Sequence, residues 1–151
     1  MTTAISVDQL SDQALLHETV RLAARERTAT VELVSALGEI DARRLYLGVG
    51  CSSLFVYCTR VLHLSEHAAY GRIEAARAAR KFPLIPELLA EGALMLTAVT
   101  LLAPHLTSDN AGPVLERARC KTKREVEEIV RLCDRSRMLL PQCAGCRRRG
   151  R

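Results

Sequence analysis

Residues Ser52–Lys81, SSLFVYCTRVLHLSEHAAYGRIEAARAARK, decide how the rest of the chain is read. Leu54, Phe55, Cys58 and Val61 or Leu62 recur at helical spacing behind Ser52 or Ser53, either of which caps a short helix. His63-Leu64 makes a turn, and Ser65 is a second N-cap. The helix it opens runs to about Lys81, where Phe82-Pro83 stops it. A short helix, a tight turn and a longer helix over residues 52–81 make a helix-turn-helix-like unit, the arrangement that lets a second helix lie in the major groove of DNA.

Helical periodicity continues on both sides. Ser11 or Asp12 caps a pattern through Leu15, Leu16, Thr19, Val20, Leu22 and Ala23. A second stripe follows at Leu33, Leu37, Ile40 and Arg44 or Leu45, so residues 12–46 read as one long helix or a helix pair, weakest at Gly38. Downstream, Pro86 suits the first turn of a helix over Glu87–Glu91 closed by Gly92. Leu94–Ala103 is apolar nearly all round and reads as the central buried element. Thr107 or Ser108 caps a helix carrying Val114, Leu115 and Ala118, with Pro113 in its first turn. Thr122 and Glu125 form a capping box ahead of Val126, Ile129, Val130 and Cys133, and Glu127 sits one turn before Arg131 in the order that favours an ion pair.

Aromatic residues make up 3% of the chain and there is no Trp, whereas 48% is hydrophobic and rich in Ala and Leu. That composition favours close-packed helices over sheet. The expected fold is all-α: a compact multi-helix domain over 11–135 with a long N-terminal helix or helix pair, a short extension at 1–10 and a flexible basic tail at 136–151. No apolar run approaches a membrane span, and MTTAISVDQLSDQ lacks the basic-then-apolar order of a signal peptide. A cytoplasmic protein without membrane contact is expected.

The net charge is +5, unevenly placed. RRRGR at the end carries four positive charges, residues 60–81 sum to +3 and residues 117–124 to +5, while 82–116 sum to −4. Segregated cations fit a face that meets phosphate. Projecting the helix from Ser65 at about 100° per residue around Ile73 turns His67, Gly71, Glu74, Ala75 and Ala78 outward, with Arg72 on one flank and Tyr70 on the other. Arg77 and Arg80 fall nearer the buried side, their stems running along neighbours. Such a face suits backbone positioning rather than base readout. The candidate DNA-binding residues are Ser65, His67, Tyr70, Arg72, Arg77, Arg80, Lys81, Lys121, Lys123 and Arg124.

Catalytic and cofactor signatures are sparse. The turn between His63 and His67 removes the spacing that would make them co-ligands, and no phosphate loop is present. Cys143 and Cys146 have the spacing of half a zinc knuckle, to which Cys120 and Cys133 could add, but a second close pair is missing. Six cysteines without a secretion signal read as reduced thiols. No metal, cofactor or small-molecule substrate is expected.

The blocks LSDQALLHETVRLAARERTATVELVSALGEIDARRLYL, GCSSLFVYCTRVLHLSEHAAYGRIEAARAARKFP, LLAEGALMLTAVTLLAPHLTSDN and KTKREVEEIVRL, in that order, resemble the N-terminal helical region of bacterial, myxobacterial-type HNH-endonuclease-like proteins. The resemblance covers about residues 10–133. It implies a helical, DNA-contacting module placed ahead of a His-Asn-His metal nuclease. Every His here lies upstream of residue 106, so the catalytic segment of the family has no counterpart. The expectation is a truncated or stand-alone copy of the module, not an enzyme, that binds double-stranded DNA. The alternative is a helical dimerisation or protein-interaction module, pairing through its N-terminal helix.

Overall fold

Ser11 takes extended backbone and accepts a hydrogen bond from the Ala14 N–H, which starts α1, Asp12–Arg43, with Asp12 at the positive end of its dipole. The computed structural model describes residues 6–138, and Cys143 and Cys146 lie outside them. Helix α1 is one continuous rod of 32 residues, about 48 Å at 1.5 Å per residue, and passes through Gly38 without a break. It ends at Arg44, whose left-handed backbone directs the chain into a single 3₁₀ turn over Leu45–Leu47.

Ser53 and Ser65 cap α2, Leu54–Arg60, and α3, Glu66–Lys81, each accepting from the backbone N–H three residues on. Between them His63 adopts a left-handed conformation, and the Leu64 N–H donates to the Cys58 carbonyl, folding α3 back over α2. Helix α4, Leu84–Glu91, begins earlier than expected because Pro83 can hold the cap position, and Pro86 still lies in the first turn. Gly92, at φ +76°, ends it. Helix α5, Leu96–Leu102, starts later than expected because Met95 is extended, and passes into a 3₁₀ turn at Ala103–His105. Helix α6, Ala111–Arg117, follows a turn in which Thr107 and Asn110 exchange backbone and side-chain hydrogen bonds. Helix α7, Lys123–Met138, opens on the Thr122–Glu125 capping box, where the Thr122 N–H donates to Glu125 Oε2 at 2.8 Å. Glu127 meets Lys123 at 3.9 Å rather than Arg131. The described residues are all-helical, with no helix long and apolar enough to cross a membrane.

The hub of the packing is α3, which touches α1, α2, α4 and α5. Its Ala69, Ile73, Ala75, Ala76 and Ala78 are all buried among Leu37, Cys58, Ile85, Leu88, Val99 and Leu102. Five small or compact side chains on one helix let four neighbours approach it closely. The sequence placed the central helix at Leu94–Ala103 instead; α5 buries Ala98, Val99 and Leu102 but leaves Thr97 exposed and Leu96, Thr100 and Leu101 only half covered.

Helices α1 and α3 meet closely at Gly38, which is buried. A Cβ there would lie 3.2 Å from Arg80 Cγ and 3.4 Å from the Ala76 carbonyl oxygen. Replacing Gly38 by Leu should wedge the two helices apart and cost about 1–3 kcal/mol in urea unfolding, whereas Gly38→Ala, met mainly by a movable arginine stem, should stay within about 1 kcal/mol of the parent. A Leu variant as stable as the parent would mean that the crossing is not tight.

Candidate functional site

The ten candidate residues separate into three places. At the C-terminal end of α3, Arg77 donates from Nε to Asp41 Oδ2 at 2.9 Å, and Arg80 donates from Nη1 to Glu39 Oε2 at 2.8 Å and to the Gly38 carbonyl at 3.3 Å. Both side chains are half exposed, as snorkelling stems should be, yet both cations end on carboxylates of α1. The Asp41 hydrogen bond raises the Arg77 pKa further. Lys81 is exposed beside them.

A second place is the turn into α7. Lys121 reaches Glu125 at 3.3 Å and Lys123 reaches Glu127 at 3.9 Å, while neighbouring Arg119 pairs with Glu91. Arg124 is exposed and has no acidic partner among the described residues. The turn is pinned to the body by the Cys120 N–H donating to the Ala93 carbonyl at 2.7 Å, with Cys120 in left-handed backbone. This basic run is therefore a held corner of the fold, most of whose charge is already countered.

The third place is a groove of about 460 Å³ that opens between the first half of α3 and α5. His67 and Gly71 form its α3 side, with Tyr70 and Arg72 on the two flanks, as the helical projection had them. Lys123 closes it from α7, a proximity across some fifty residues that no local pattern reveals. Ser65, the remaining candidate, is the N-cap of α3 and spends its hydroxyl on that role.

The projection fails farther along the same face. It turns Ala75 and Ala78 outward, but both are buried, because α5 and the turn after it lie across the second half of α3. A recognition helix needs a continuous open face to enter a groove of DNA. Helix α3 offers only its first two turns and its last.

Two further features carry no clear mark in the sequence. Arg72 Nη1 donates to the Ala68 carbonyl at 3.3 Å, while its Nε–H is buried and finds no acceptor among the described residues. Such an orphaned donor costs about 1–3 kcal/mol. His105 Nδ1 lies 2.9 Å from Asp134 Oδ1, tying α7 to the turn after α5. Burial pushes the Cys58 thiol up, away from reactivity at neutral pH. Among the described residues no three His, Cys, Asp or Glu side chains converge as metal ligands. Compared with family models, curated proteins and solved structures, the chain finds no match.

Glu39 accepts hydrogen bonds from Arg43 within α1 and from Arg80 of α3. Arg43 first, and Arg80 second, hold its carboxyl below the ordinary carboxylate range. A pKa lowered in the folded state adds stability that is complete above the unfolded value and drains as pH falls through the folded one, here below about pH 4.3. Thermal melts at pH 7 and pH 3 should therefore differ less for Glu39→Gln than for the parent. An unchanged difference would show that Glu39 plays no part in the acid limb.

Proposed function

We propose that the chain is a helical interaction module that pairs with a second copy of itself through the first half of α1. One observation carries this: the part of α1 before Glu26 stands clear of the body with Leu16 69% and Val20 70% exposed, and with Leu15 and Leu22 exposed beside them. At about 100° per residue, Leu22, Leu15, Thr19, Ala23, Leu16 and Val20 occupy one arc of the helix. A continuous apolar stripe on a projecting helix marks an interaction surface rather than a packing residue. Some fourteen residues of isolated helix are marginal in water. Attachment to the anchored half of α1 supports this arm, and a partner helix would complete its burial.

Charge favours a second copy lying antiparallel. The arm starts acidic, with Asp8 and Asp12, and ends on Arg25, while Glu18 and Arg21 pair within the helix, so an antiparallel pair sets each acidic end against the partner's basic end. Opposed helix dipoles add to the preference.

Duplex DNA is a second reading, favoured by His67, Tyr70, Arg72 and Lys123 sharing one groove beside Lys121 and Arg124. Its binding would be electrostatic, through the corner at the start of α7, and should fall with salt at about 0.9 log unit per phosphate contact.

Light scattering over a range of concentrations should give a dimer for the parent chain and a monomer for Leu16→Glu and Val20→Glu, with helicity unchanged. A parent that stays monomeric at every concentration would sink the pairing. Fluorescence anisotropy with a labelled duplex tests the second reading: Lys121→Glu with Arg124→Glu should weaken binding about tenfold or more at low salt and flatten the salt slope. Parent-like binding by that double variant would remove DNA contact from this corner.

A further inference from the structure

We propose that the groove between α3 and α5 binds a small carboxylate with a flat apolar body. Its volume of about 460 Å³ lies within the range of small-molecule sites. The space is created by side-chain choice. Ala68 and Gly71 stand where larger residues would fill the gap, and a Cβ at Gly71 would meet only Thr100 Oγ1, at 3.8 Å. Leu96 and Leu101 give the opposite wall an apolar surface, and Tyr70 offers an exposed ring for stacking.

The charge of the lining is one-sided. Arg72 and Lys123 line the groove and, among the described residues, no Asp or Glu does. Lys123 is held to Glu127 by a contact of 3.9 Å, loose enough to give up. The Arg72 guanidinium is fixed by Nη1 on the Ala68 carbonyl, while its Nε–H has no acceptor. The Nε and Nη2 edge of a guanidinium matches the two oxygens of one carboxylate, so a small rotation of this side chain would give the orphaned donor a partner. The inference is independent of how α1 pairs, because the groove and the arm share no residue.

Naphthoate is a suitable probe, with naphthamide as its neutral match, titrated by calorimetry into the full chain. Naphthoate should saturate at one per chain and bind about tenfold tighter than naphthamide. Arg72→Met and Lys123→Met should each remove most of that preference while leaving naphthamide unaffected. Gly71→Leu, which fills the floor, should abolish binding of both. The exposed position of Lys123 keeps the test sound if a core variant folds poorly. Equal affinity for acid and amide, no binding of either, or a preference that survives both Met variants would overturn the proposal.

Discussion

The close approach of α1 and α3 at Gly38 is the constraint on which the other packing depends. With no side chain at Gly38, the Arg80 stem crosses α1 and delivers its guanidinium to the Gly38 carbonyl and Glu39, while Arg77 reaches Asp41 one turn away. The contact thus combines helix packing with three charge-assisted hydrogen bonds on its solvent edge. Once α3 is seated there, its alanines allow α2, α4 and α5 to surround it. The same seating leaves the first half of α1 with no body beneath it.

Much of the fold was legible because the punctuation is strong. Ser11, Ser53, Ser65 and Thr122 all stand at helix starts, each with a side-chain hydrogen bond to the expected N–H. Proline or glycine marks the stops of α3, α4 and α5, whereas α1, α2 and α6 give way to Arg44, His63 and Cys120 in left-handed backbone. Helix centrality was harder to read, because an apolar helix such as α5 looks more buried than one that mixes Ala with Arg. Alanine contributes little hydrophobicity per residue but permits close approach on several sides, so α3 became the hub although its mean hydropathy is low. For the same reason a single-stripe projection misplaced Ala75 and Ala78.

The candidate site was legible only in part. The flanking of Gly71 by Tyr70 and Arg72 follows from helical geometry alone. The arrival of Lys123 in the same groove depends on how α7 docks, which no spacing encodes. The pairing of Arg77 and Arg80 with carboxylates was equally hidden, because their partners lie about forty residues away, whereas Lys121 and Lys123 pair with Glu125 and Glu127 at a spacing of four that the sequence does display.

That pairing changes what the basic composition means. A charge sum counts every cation as available, but a phosphate at Arg80 Nη1 competes with Glu39 and the Gly38 carbonyl, and one at Arg77 Nε competes with Asp41. Exposed pairs of this kind are individually weak, so the barrier is modest. Its consequence is selective: binding there would loosen the α1–α3 contact, whereas binding at Arg124 or beside Arg72 would disturb no helix crossing. The proposed anion site beside Arg72 is therefore compatible with an intact α1–α3 crossing. The apolar arm of α1 belongs to a different part of the chain and shares no residue with that groove.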